Sequence, residues 1–73
     1  MTISELIEQL KKYPSDMRVV IPGYEGGYDD IKHFQEEAIM LNFNDNSYEG
    51  VHESAGVCGV ADENADETAL LIS

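Results

Sequence analysis

The sequence predicts an α+β domain, a helix over residues 3–12 packed on a small, mainly antiparallel sheet of about three strands near residues 17–22, 36–43 and 68–72. Three observations carry that reading. Ile3, Leu6, Ile7 and Leu10 recur at helical spacing, Met17 to Ile21 is dense in β-branched residues, and the chain closes on the apolar run Thr68-Ala69-Leu70-Leu71-Ile72. With 73 residues the chain is expected to be a single domain, which at this size buries only about 60% of its unfolded surface.

The helix opens on a capping box. Thr2 is placed to accept from the backbone N–H of Glu5 while the Glu5 carboxylate reaches back. Glutamates early and Lys11 and Lys12 late suit the helix dipole, and Pro14 ends the helix because the residue before a proline is pushed out of the helical region. Tyr13 is expected to make the last contact of this helix with the core. Ser15-Asp16 turns the chain into the strand Met17 to Ile21, which Pro22-Gly23 bounds. From Gly23 to Asp30, three glycines in five positions demand sharp turning or positive φ, so this stretch is expected to be a structured loop carrying Tyr24 and Tyr28.

The segment from Ile31 to Phe43 fits two periods. Phe34, Ala38 and Leu41 suit a helix, whereas Ile39, Leu41 and Phe43 alternate as in a strand. Strand is favoured for Ala38 to Phe43, pairing antiparallel with Val19 to Ile21, with a bulge interrupting Ile31 to Gln35 and the Asn44 to Ser47 turn following. Asn44 to Glu67 is rich in Asn, Gly, Ser and Asp and supports no long regular element, so it is expected to be a functional or mobile loop.

Charge is the strongest functional signal. The net charge is −11, and nine carboxylates follow His33 with no lysine or arginine among them. Such a field repels nucleic acid and membranes and attracts basic protein surfaces. A hydrophobic content of 42% is that of a folded domain, so the acidity decorates a core rather than marking disorder. The N-terminus has no basic segment followed by an apolar one, and no apolar run approaches the roughly 20 residues of a membrane span, so the protein is expected in the cytoplasm.

The run Ser4-Glu5-Leu6-Ile7 through Leu10 and Tyr13-Pro14, then Val19-Val20-Ile21 and Gly23-Tyr24-Glu25-Gly26-Gly27-Tyr28-Asp29-Asp30-Ile31, resembles a family of small, uncharacterised proteins of bacteriophages and prophages. Leu41-Asn42 and His52-Glu53 continue the likeness. The resemblance implies an N-terminal helix on a small antiparallel sheet and an origin in a mobile element; it carries no catalytic or binding residues across.

Three constellations bear on chemistry. Tyr24-Glu25, Tyr28-Asp29-Asp30 and Tyr48-Glu49 set a tyrosine directly before a carboxylate. These rings are either half buried at a sheet edge with wet hydroxyls, or the anchors of an interface for a partner rich in arginine and lysine. Asp62, Asn64 and Asp66 match the first three ligand positions of a calcium loop, but Glu67 stands where glycine is needed and no glutamate is supplied at the twelfth position, so a specific metal site is not expected. His33, His52 and Glu53 lack the spacing of a zinc or acid–base site. The lone Cys58 excludes an internal disulfide and has no basic neighbour in sequence to activate it.

No catalytic residues and no cofactor are therefore assigned, and so little apolar material is a poor matrix for a polar catalytic cleft. The function expected is that of a non-enzymatic, acidic protein-binding module of phage or mobile-element origin. Its contact residues would be Tyr24, Glu25, Tyr28, Asp29, Asp30, Tyr48, Glu49, Glu53, Asp62, Glu63, Asp66 and Glu67, docking on a basic host protein. Inhibition of a nucleic-acid-binding defence nuclease, of the anti-CRISPR or anti-restriction kind, is the sharpest form of this expectation. Its rivals are a self-associating structural domain, a homodimer joined through sheet edges or an apolar face, and a weak cation-binding domain using Asp62 to Glu67.

Overall fold

The computed structural model describes residues 1–46 and 48–73. In chain order its elements are α1 (Ile3–Leu10), β1 (Val20–Pro22), β2 (Tyr28–Asp30), β3 (Phe34–Met40), β4 (Glu53–Ser54), a 3₁₀ turn (Asp62–Asn64) and β5 (Glu67–Ile72). The class is the expected α+β with antiparallel strands, arranged as two small sheets. The chain divides into two compact units, Met1–Ile31 and Lys32–Ser73.

In the first unit, α1 starts as its capping signal dictates. Thr2 is extended, its Oγ1 accepts the Glu5 N–H at 3.2 Å, and Thr2 Oγ1–H donates to Glu5 Oε1 at 3.1 Å. The helix ends at Leu10, two residues earlier than expected. Lys12 N–H and Tyr13 N–H turn to the carbonyls three residues back, Gln9 and Leu10, so tight 3₁₀-type closure ahead of Pro14 replaces the last helical turn. The lysines of this closing turn reach back along the surface, Lys11 to Glu8 and Lys12 to Gln9.

β1 pairs with β2, in the register Val20↔Asp30, Ile21↔Asp29 and Pro22↔Tyr28. This corrects the sequence reading three times, the first being that the strand begins at Val20 rather than at Met17, whose N–H closes a turn on Pro14 O at 3.1 Å. The partner of β1 is β2 rather than the strand after residue 36, and Tyr28–Asp30, expected in a loop, is a strand. Three residues without an apolar run give no period to read, yet five residues rich in glycine between two extended segments are a hairpin connection.

In the second unit the strand order is β4-β3-β5. β3 and β5 pair without interruption from Phe34↔Ile72 to Ile39↔Glu67, and just ahead of this ladder Lys32 N–H and His33 N–H both donate to Ser73 O at 2.7 Å while Ser73 N–H donates to His33 O, a bulge within the expected Ile31 to Gln35 stretch. β3 runs over Phe34–Met40 instead of 36–43, because Leu41-Asn42 turns and Asn42 takes a positive φ of 52°. A side-chain amide that hydrogen-bonds locally makes asparagine one of the few residues at ease there. The core of this unit gathers at Ala55, which has no exposed surface and whose N–H donates to Ala38 O at 3.0 Å. Half-buried Ile39, Met40, Cys58, Val60, Ala69 and Ile72 complete it. Among the described residues between β3 and β5 no long regular element forms, as expected; β4 and the 3₁₀ turn are short. The Asn44 to Ser47 turn read from the sequence reaches Ser47, which lies outside the described residues.

Candidate docking site

Hydrogen bonding and backbone torsion together shape the β1–β2 hairpin. Gly23 N–H donates to Gly27 O at 3.0 Å and closes the loop, and Glu25, Gly26 and Gly27 follow one another at φ of 55°, 107° and 70°. Three consecutive left-handed residues are affordable only because two are glycine. Glu25 is the exception, and a non-glycine residue held there costs on the order of 1 kcal/mol. Gly23 is needed for a different reason. A Cβ at that position would stand 3.0 Å from Gly26 O and 3.3 Å from Asp29 Oδ2, so the loop backbone and the Asp29 carboxylate close over the space a side chain would take.

This loop holds its tyrosines outward. Tyr24 at the tip is 91% exposed and Tyr28 at the start of β2 is 80% exposed. The reading of rings half buried at a sheet edge is therefore corrected for both, and for Tyr48, which is 84% exposed in the second unit. Large aromatic rings left in water lose the burial that ordinarily holds them in place, so both rings are open to contact.

The hairpin's carboxylates divide into two kinds. Asp30 is engaged: Arg18 Nη1 donates to its Oδ1 at 2.9 Å and its Oδ2 at 3.1 Å. Both partners are more than half exposed, so this pair contributes roughly 0.2–1 kcal/mol and serves chiefly to tie the stem of the hairpin. Among the described residues, Glu25 and Asp29 have no cationic partner, and they flank the tyrosines. Sequence alone does not point to Arg18; the signal that finds it is the hairpin pairing, which brings a residue just before β1 beside the end of β2.

The remaining expected contact residues lie in the second unit and differ in what they do. Asp66, though exposed, is engaged with the backbone, its Oδ2 accepting Leu41 N–H at 2.8 Å where β3 ends. Glu53 accepts from Asn44 Nδ2 at 3.1 Å and from Ser54 N–H at 2.9 Å. The Asn44 amide first and the Ser54 N–H second hold the Glu53 carboxyl below its ordinary value, with partial burial opposing. These two carboxylates stabilise the fold of their own unit. Glu49 is bound by Asn46 Nδ2 at 2.7 Å. Asp62 and Glu63 lie exposed on the 3₁₀ turn, and Glu67 opens β5 opposite Ile39.

The other constellations disperse. His33 adjoins the start of β3 and exchanges backbone hydrogen bonds with Ser73, whereas His52 stands beyond the other end of β3, its Nδ1 accepting Asn42 N–H at 3.0 Å. The seven residues of β3 separate them, about 20 Å of extended strand. Asp62 and Asn64 lie in the 3₁₀ turn while Asp66 is held at Leu41, so the three oxygens of the calcium-like spacing are directed to different tasks. Partial burial first and the Glu53 charge second push the Cys58 thiol up from its ordinary value, which keeps it protonated at neutral pH.

No family model, curated protein or solved structure matches the chain. Among the described residues, no helix is long and apolar enough to cross a membrane. A cavity of about 490 Å³ in the first unit, lined by Leu10, Tyr13, Met17, Val19 and Val20 among others, carries Arg18 as its one charged wall residue. It has no carboxylate or histidine that could move a proton.

Proposed function

We propose that the protein is a binding module, its β1–β2 hairpin the recognition element for a basic protein surface. The observation that carries this reading is the exposure of Tyr24 and Tyr28 on a loop held by consecutive left-handed residues, beside the unpaired carboxylates of Glu25 and Asp29. A loop already ordered in the free protein loses little conformational freedom on binding, and rigid tyrosines are frequent interface anchors. Glu25 and Asp29 supply charge for arginines and lysines at the rim, where it raises the association rate more than the final affinity. Asp62, Glu63 and Glu67 add to the long-range field from the second unit.

A partner with a groove built for nucleic acid would meet these requirements, and inhibition of a nuclease of a host defence system is the sharpest form of the proposal. The phage-protein likeness of the glycine-tyrosine-acid loop favours that form. The test is capture from host lysate at 50 mM NaCl with the natural chain and with a Tyr24→Ala/Tyr28→Ala variant. A species held by the first, released between 50 and 500 mM salt and absent from the second supports the proposal. Equal capture by both chains, or capture indifferent to salt, rejects it.

A further inference from the structure

The two edges of the three-stranded sheet are unlike. β4 is two residues long and carries Glu53, so it offers little to pair with. β5 is six residues long, has no proline, lysine or bulge, and among the described residues has β3 as its only strand neighbour. Such an edge lacks the usual devices that discourage pairing.

Its hydrogen-bonding parity follows from the ladder. Ser73 N–H donates to His33 O and His33 N–H donates to Ser73 O, so this pair is a hydrogen-bonded one. Alternation then turns the backbone groups of Leu71, Ala69 and Glu67 toward β3, and those of Thr68, Leu70 and Ile72 toward the open edge. Three N–H and three C=O groups therefore face outward along a stretch whose Leu70 and Leu71 are 42% and 46% exposed.

We infer that β5 pairs antiparallel with β5 of a second copy, about a two-fold axis at Leu70. That register sets Leu70 against Leu70, and Thr68 against Ile72 at either side. It uses all three outward N–H and all three outward C=O groups of each strand, whereas a slip of two residues leaves some unmet. The charges also allow it. Glu67, the one carboxylate of β5, comes to lie opposite Ser73 of the partner, roughly 20 Å along the strand from the partner's own Glu67. Glu36, beside Leu70 on β3, is separated from its counterpart by three strand spacings, about 14 Å. Both separations exceed the Debye length of about 10 Å at 0.1 M salt. A basic peptide added to this edge would meet a single carboxylate within β5, so a second copy is the better occupant. Salt should tighten the pairing of two like-charged chains, the opposite of its effect on the hairpin docking proposed above, so the two ideas fail separately.

Sedimentation velocity across a concentration series at 50 and 500 mM NaCl, combined with amide hydrogen exchange on the intact chain, tests the inference. A dimer that strengthens with salt is expected, with the Thr68, Leu70 and Ile72 amides gaining at least tenfold protection as concentration rises, while Ala69 and Leu71 are protected throughout. Leu70→Pro removes an outward N–H and spares the β3 ladder, and Leu70→Glu sets two acids against each other at the axis; either should leave a monomer. A monomer at millimolar concentration overturns the inference. So does a dimer in which those three amides stay unprotected, or one that survives Leu70→Glu.

Discussion

Replacing Gly27 by L-alanine and, in a synthetic chain, by D-alanine isolates the torsional demand of the hairpin. Gly27 has φ of 70°, and a Cβ built there meets no atom within 4 Å, so neither substitution clashes. The L-residue in the left-handed region costs roughly 1–2 kcal/mol. Stiffening the unfolded chain by losing a glycine offsets roughly 0.4–1 kcal/mol of that. The net loss is about 1 kcal/mol, or roughly 4–8 °C in Tm for a domain of this size if the hairpin unfolds with the rest. The D-residue prefers positive φ and keeps the stiffening term, so it should melt at or slightly above the natural chain. Thermal unfolding gives the global effect, and exchange of the Gly23 amide, which bonds to Gly27 O, reads the hairpin itself. If the two stereoisomers unfold and exchange alike, the left-handed backbone is not what holds Tyr24 outward, and the preorganised loop fails as an explanation.

The other predictions concern the second unit. Asp66→Ala should lower stability by about 0.5–1.5 kcal/mol through loss of the bond from Leu41 N–H, and Asp66→Asn, which keeps an acceptor, should recover part of it in the same melting assay. Glu53 has a folded-state value below its unfolded one. Its contribution is therefore present above the ordinary carboxylate range and lost as pH falls through the folded value; the Tm advantage of the natural chain over Glu53→Gln at pH 7 should shrink toward pH 3. Cys58 should react with iodoacetamide at pH 8 more slowly than free cysteine, and faster in Glu53→Gln than in the natural chain, as thiol-loss kinetics will register.

How far these features could be read in advance depends on their range along the chain. The start of α1 rests on Thr2 and Glu5, three residues apart, and was legible. Its end was not, because Lys11 and Lys12 prolong an amphipathic pattern that the backbone has already abandoned for tighter turns. The apolar run of β5 is plain in Thr68 to Ile72, but nothing in it specifies β3 as its partner, since pairing over 28 to 38 residues depends on which edges remain once local hairpins have formed. β2 escaped notice because Tyr28-Asp29-Asp30 is short and polar and becomes a strand only through the hairpin. The same asymmetry applies to the candidate site. Tyrosine beside acid was visible in sequence, whereas the employment of Asp66, Glu53 and Asp30 inside the fold depends on Leu41, Asn44 and Arg18, each at least nine residues away.

The hairpin's role is tested most directly with the protein that salt releases from the captured complex, by measuring its affinity at 150 mM NaCl for four chains. Those are the natural one, Tyr24→Ala/Tyr28→Ala, Glu25→Gln/Asp29→Asn, and Asp62→Asn/Glu63→Gln. Anchors at the hairpin predict a loss of at least 30-fold for the tyrosine pair, about 2 kcal/mol. Several-fold loss with a shallower salt dependence is expected for the hairpin acids, and little change for the 3₁₀-turn acids. Binding that survives removal of both tyrosines and is lost with Asp62 and Glu63 would place the docking surface in the second unit and contradict the account.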